Sequence, residues 1–218
     1  MAKINAINNK SGELTVDPGS SGDSFIQFDI NTTGEWRIGV DDDDSDAFKI
    51  SQGSALGSND FFIMSANGER TMPSQPAFLA YVSSTATNQT GVTIATVPAD
   101  TEVFDQGSDY NTGTYQFTAP VTGRYSFVCG VVITDITSAN RGYLRWNTSN
   151  RVFSLDSVSP AATKTSTDLV GYSAGVTTDM DASDVAYLEI FCTGEASDVI
   201  DIVGGATLQS YFGGYLEC

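Results

Sequence analysis

The sequence predicts an all-β protein, and three observations carry that prediction. Apolar and polar residues alternate with a period of two in many short runs. Tyr115 and Phe117 alternate with Thr114, Gln116 and Thr118, and Tyr125 and Phe127 alternate with Arg124 and Ser126. Glycine is abundant, with 21 Gly against 6 Pro, and Thr, Ser, Asn and Asp cluster between the runs, which suits many short strands joined by turns. No window keeps apolar residues at i, i+3, i+4 and i+7 for three turns, so almost no helix is expected. Apolar residues make up 40% and aromatics 11% of the 218 residues, enough for a core in one large or two small domains and too much for disorder.

The first 24 residues end in Asp17-Pro18-Gly19-Ser20-Ser21-Gly22-Asp23 and read as a flexible lead or attachment segment. Strands are expected at 25–30, 35–40, 47–51 and 60–65, separated by Asp-, Asn- and Gly-rich turns. These strands are too short and too poor in large apolar groups to form an independent core. They make better sense if several copies of the chain wrap one another, with Phe28, Ile30, Trp36, Ile38, Val40, Phe48, Ile50, Phe61 and Ile63 sharing an axial core. The prolines of Met72-Pro73-Ser74-Gln75-Pro76 mark a boundary. The organisation is therefore a lead at 1–24, a β-rich stalk at 25–73 and a head at 74–218. In the head, strands are expected at 77–83, 91–94, 102–104, 114–118, 123–135, 141–147, 152–154, 164–174, 184–192, 199–203 and 208–216. That many strands in one stretch argue for a sandwich or jelly roll.

The formal charge is −17, from 27 acidic and 10 basic residues with no His. Such a surface repels phosphate backbones and anionic membranes, which excludes nucleic acid as a partner. No apolar run reaches the length of a membrane span, so no membrane insertion is expected. The start of the chain lacks the apolar core of a signal peptide, and three cysteines are too few for a disulfide framework. Cys129 and Cys192 sit in apolar strands and read as buried thiols; with Cys218 they leave the disulfide state open. Synthesis in a reducing cytoplasm is the expectation.

Two resemblances refine this. Val103-Phe104-Asp105-Gln106, then Asn111-Thr112-Gly113-Thr114-Tyr115-Gln116-Phe117-Thr118-Ala119-Pro120 and Gly123-Arg124-Tyr125-Ser126-Phe127 form one block. Pro76-Ala77-Phe78, Met180-Asp181-Ala182-Ser183-Asp184 and Tyr211-Phe212-Gly213-Gly214-Tyr215-Leu216 form three more. In this order they resemble the C1q/TNF-like jelly roll, which implies a trimeric recognition head. The resemblance places the opening and closing strands near the symmetry axis, nominating Phe78, Tyr211, Phe212 and Tyr215 for core or subunit contacts. Upstream, Gly34-Glu35-Trp36-Arg37-Ile38-Gly39-Val40-Asp41, Ser45–Ser51, Leu56–Asp60 and Asn67-Gly68-Glu69 look like a short-stranded module of trimeric bacteriophage fibres. No collagen-like stalk is seen, which moves the analogy from plasma proteins towards phage fibres.

Candidate chemistry is sparse. The run Asp41-Asp42-Asp43-Asp44-Ser45-Asp46 offers oxygen ligands for Ca²⁺ but lacks the EF-hand order, and reads as a solvated turn; no metal or other cofactor is assigned. There is no His for a triad and no nucleophile elbow, and the pairs Asp179/Asp181 and Asp198/Asp201 flank expected strands, so no enzyme is expected. Gly204-Gly205 precedes no helix and makes no phosphate loop. The sequons at Asn31, Asn88 and Asn147 read as chance in a chain rich in Asn and Thr. The block from Arg141 to Arg151 puts three of the ten basic residues beside a tryptophan. Arg and Trp are favoured at binding hot spots, so Arg145, Trp146, Asn147, Asn150 and Arg151 are the candidate receptor-binding residues. The expectation is a homotrimeric virion fibre or spike, on tail or head. Its N-terminal segment would bind other virion proteins and its head a host cell-surface glycan or protein. The alternatives are a secreted C1q/TNF-like binding protein and a hydrolytic tailspike.

Overall fold

The computed structural model describes residues 15–19, 21–29, 34–90, 94–155, 157–195 and 199–218. The chain divides into two compact units, at residues 1–74 and 75–218. The expected lead lies mostly outside the described residues, as do Ile30, the sequon at Asn31, Asp198 and the first three residues of the expected strand at 91–94.

The first unit is one antiparallel meander, β1 (Ser24–Asp29), β2 (Glu35–Asp41), β3 (Ala47–Gln52), β4 (Asp60–Met64) and β5 (Arg70–Thr71). The acidic run makes the turn between β2 and β3. Asp41 caps a 3₁₀ turn at Asp42–Asp44 by accepting the Asp43 N–H at 3.1 Å, and Ser45 and Asp46 take left-handed conformations that short polar residues tolerate. Asp41 and Asp44 are turned onto the Lys49 ammonium at 2.8 and 2.6 Å, with Asp60 at 3.4 Å. Among the described residues no group of three or more His, Cys, Asp and Glu side chains is arranged to hold a metal ion.

The second unit is a jelly-roll sandwich of two antiparallel sheets. One runs β10 (Tyr110–Asn111), β11 (Gln116–Thr118), β16 (Val185–Thr193), β13 (Arg141–Thr148) and β14 (Val152–Ser154), with β8 (Ala95–Thr96) also pairing β16. The other runs β7 (Ala86–Thr90), β17 (Val199–Ile202), β12 (Gly123–Thr134), β18 (Tyr211–Leu216), β6 (Ala77–Tyr81) and β9 (Thr101–Asp105), with β15 (Val170–Met180) on the far side of β12. One four-residue helix, α1 (Pro160–Thr163), joins β14 to β15. The architecture is the all-β jelly roll that the alternation predicts.

Aromatic rings from several strands of the second unit build its core. Phe78 is stacked between Tyr110 and Phe117, with centroids 4.9 and 4.8 Å away, and meets Phe212 edge-on at 4.9 Å; Tyr125 and Phe127 complete the cluster. Stacked and edge-on pairs add to the burial of each ring, which stabilises by roughly 1.5–3 kcal/mol. The buried Tyr110 hydroxyl donates to the Ala99 carbonyl at 2.8 Å, and the Tyr125 hydroxyl to Val121 at 2.7 Å. The Asp105 carboxylate accepts the N–H groups of Asp109 and Tyr110, which explains the Phe-Asp signature as a turn cap.

Several expected strands shift. Tyr115 has φ +60 and belongs to a turn closed by the Asn111 side chain on the Gly113 and Thr114 N–H groups, so the strand begins at Gln116. Ile94 lies in no strand, and residues 86–90 pair with β17 instead. The strand expected at 164–174 runs 170–180, because Pro160 starts a helical turn and Asp168, at φ +58, ends the following loop. Leu208 is likewise in a left-handed turn, and the last strand starts at Tyr211.

Candidate functional site

Alternation along β13 sorts the candidate residues by face. Leu144 and Trp146 point inward and are fully buried, whereas Tyr143, Arg145 and Asn147 point outward and are half-buried. Trp146 is therefore a core residue at 0% exposure and touches no partner, which corrects its place among the receptor-binding candidates. Asn150 and Arg151 lie in the β13–β14 turn, apart from the outward row. Asn150 donates to Asp184 at 2.7 Å and Arg151 pairs with Asp179 at 2.8 Å, both pairs being exposed. Arg151 lines a shallow depression of about 420 Å³ with Arg124 and Phe153.

The outward row of β13 is completed by β16. Register places Arg141 opposite Thr193, Tyr143 opposite Phe191, Arg145 opposite Glu189 and Asn147 opposite Tyr187. Directly opposed residues of an antiparallel pair share a face and touch. Tyr143 and Phe191 stack at 4.7 Å, and the Arg141 guanidinium stands over both rings at 5.3 and 5.7 Å. Beside them, Arg145 donates to Glu189 Oε2 through Nε and Nη2 at 2.9 and 2.7 Å, and Asn147 donates to the same oxygen at 3.1 Å. Burial, with the Glu189 charge second, pushes the Tyr187 hydroxyl above its ordinary value. A second depression of about 310 Å³ is lined by Arg141, Tyr143, Ser154, Leu155 and Ser157, at the edge of the same sheet. The face thus offers an aromatic platform, a guanidinium over it and a fixed carboxylate–amide pair beside it.

Sequence reasoning found Arg145 and Asn147 here and missed Arg141, Tyr143, Tyr187, Glu189 and Phe191 as members of the face. Period-two alternation was the available signal, since Leu144 and Trp146 declare the buried side.

The opposite sheet has its own outward face. Phe78 and Phe212 are buried within the sandwich, so of the four residues nominated for core or subunit contacts these two are core. Tyr211 and Tyr215 point outward, in a row with Leu79 and Val128. Tyr215 is 50% and Val128 47% exposed. Gly130 leaves room for the Tyr211 ring, which a Cβ at that position would meet at 2.6 Å and displace. Cys129 and Cys192 are buried free thiols, pushed up to about 12 and about 11 by burial, and Cys218 is free and exposed.

Neither sheet carries a recognisable catalytic arrangement among its described residues. The globular domain of zebrafish complement 1qA is similar in structure, at 21% identity over 66% of this chain and 98% of that one, with a TM-score of 0.46. Murine APRIL at pH 8.0 is similar at 12% identity over 65% of this chain and 98% of that one, with a TM-score of 0.43. No curated protein sequence matches the chain. Residues 77–216, well over half of the chain, match the C1q domain, and the protein belongs to the C1q domain family.

Proposed function

We propose that the protein is a virion fibre or spike component, a homotrimer whose C1q unit adheres to a host-surface glycan or protein through the outward face of β13 and β16. C1q and TNF-like domains are typically non-enzymatic binding modules that trimerise and bind receptors, and this chain's C1q unit is read the same way. The observation that carries the reading is the stacked Tyr143–Phe191 pair under the Arg141 guanidinium, set in a chain of formal charge −17. Half-buried rings of this kind pack their open edge on the apolar face of a sugar or a peptide side chain, and the Glu189–Arg145–Asn147 group hydrogen-bonds what lies beside it. Tyr211, Tyr215, Leu79 and Val128 form the copy–copy face of the trimer. Three identical shallow sites then act together, and avidity raises weak contacts by about 10²–10⁴. The fibre setting is supported by the likeness of residues 34–69 to phage fibre modules.

Fluorescent full-length protein should label susceptible cells and compete with virion adsorption. Tyr143→Ala combined with Arg141→Ala should abolish labelling while leaving the chain folded and its oligomeric state unchanged, at some cost in stability from the lost stack; Arg151→Ala should keep it. Labelling that survives the double substitution moves the site elsewhere, and no labelling by the parent protein refutes adhesion. Release of reducing sugar from the cells would favour the hydrolytic tailspike instead.

A further inference from the structure

The first unit is a single sheet whose two faces are the reverse of what an isolated sheet in water needs. Register puts Phe28, Trp36, Ile38, Phe48, Ile50 and Phe62 on one face, where opposed residues align across β1 to β4. None of them is buried, and Phe28 is 57% exposed. The other face is the covered one: Arg37, Lys49, Ser51 and Asp41 are buried there, with Leu56 buried in the loop that follows β3. A bulge opposite Ile50 and Ser51 re-aims β4. Phe61 meets Trp36 at 5.0 Å and Phe62 meets Phe48 edge-on, while Ile63 falls opposite Lys49 on the covered face. Ile63 therefore leaves the axial set expected from the sequence, and Phe62 enters it.

We propose that this apolar face is an interface between copies of the chain, closed by the same face of its neighbours. A sheet with one apolar face needs a second layer over it. Strands β1 to β4 contribute no charged side chain to the face, although the chain is strongly acidic elsewhere. Identical copies can therefore meet here without like-charge contact, and an apolar, uncharged face is complementary to itself. Four strands about 4.8 Å apart and about 20 Å long give a face on the order of 300–400 Å², comparable to the largest apolar patch of a typical monomer, which is often functional. That is less than the roughly 800 Å² per partner of a stable pair. The face thus acts as a seam that adds to association elsewhere, and in this respect it rests on the homotrimer proposed for the C1q unit.

The test follows mass by sedimentation and the accessibility of tryptophan to acrylamide in the full-length protein across dilution. Trp146 is buried within one copy and stays shielded throughout, so the quenchable signal is that of Trp36. The expected result is a trimer with Trp36 shielded at micromolar concentration, and Trp36 uncovered as dilution releases monomers. Ile38→Asp should raise the concentration of half-dissociation about tenfold or more, since it buries a charge in the seam. Phe28→Ser, at a position too exposed to hold the monomer together, should give a smaller shift in the same direction. A trimer with Trp36 freely quenched overturns the seam and leaves the trimer standing. Trp36 shielded in the monomer also overturns it, because another segment of the same chain then covers the face. A monomer with Trp36 exposed at tens of micromolar overturns both.

Discussion

The Lys49 ammonium is 5% exposed and lies 2.8 Å from Asp41, 2.6 Å from Asp44 and 3.4 Å from Asp60. Burial works against its charge, but the hydrogen bonds to Asp41 and Asp44, and the Asp60 and Asp41 charges, more than reverse this and hold the group above the ordinary lysine value of 10.5. Removing the cation alone strands buried carboxylates. Lys49→Met should therefore destabilise the first unit by about 3–5 kcal/mol, read as a shift in its denaturant midpoint. The sign of the pH effect follows from the raised value. Stability from Lys49 is complete below pH 10.5 and is lost as pH rises through the higher folded value. The buried Tyr110 and Tyr172 hydroxyls, raised mainly by burial above the ordinary 10.0, act in the same direction, because the unfolded chain ionises them first. The parent protein should lose stability from about pH 10 upward, and Lys49→Met should flatten part of that slope. An unchanged slope would mean that Lys49 gains nothing from its three acids.

At the scale of the element, β13 shows what a period of two decides. Trp146 and Arg145 are neighbours in sequence, yet one is fully buried and the other ion-paired on the outer face. Trp146→Ala should cost about 3–5 kcal/mol of stability through the cavity it opens. Arg145→Ala should cost less, because it opens no core cavity and leaves Glu189 its hydrogen bond from Asn147. Thermal unfolding of the two variants separates them, and equal losses would contradict the faces assigned to the strand. This strand also marks how far the sequence could be read. The alternation of Tyr143, Arg145 and Asn147 with Leu144 and Trp146 is visible in one dimension. The contribution of Tyr187, Glu189 and Phe191 is not, because it depends on a register that pairs residues forty or more positions apart. The aromatic core was legible because its residues fall in motif blocks with a strict period. The limits of β15 and of the strand after Asn111 were not, since left-handed turns at Tyr115 and Asp168 obey local hydrogen bonding rather than alternation. In β4 a single bulge moved Phe62 onto the apolar face and Ile63 off it, and no pattern of apolar residues signals a bulge.

The formal charge acts on the molecule as a whole. A chain at −17 that assembles in threes, as proposed, brings together −51, which is three times that charge. The proposed contact residues are uncharged, and one acid, Glu217, stands beside them, its carboxylate accepting from Ser126 opposite Tyr215. The apolar face of β1 to β4 carries none, and the outward row of Leu79, Val128, Tyr211 and Tyr215 is uncharged. The repulsion is therefore long-range rather than in contact, and salt reaches it. Raising ionic strength from about 0.01 to 0.15 M shortens the screening length from about 30 to about 8 Å, so it relieves repulsion between copies while leaving apolar contact intact. The trimer should accordingly tighten with salt over that range, and sedimentation at a series of NaCl concentrations should show the half-dissociation concentration falling. An interface built instead on ion pairs between copies would weaken over the same series, because screening acts on attraction as it does on repulsion. The direction of the salt effect thus reads the chemistry of the contact, independently of which residues form it.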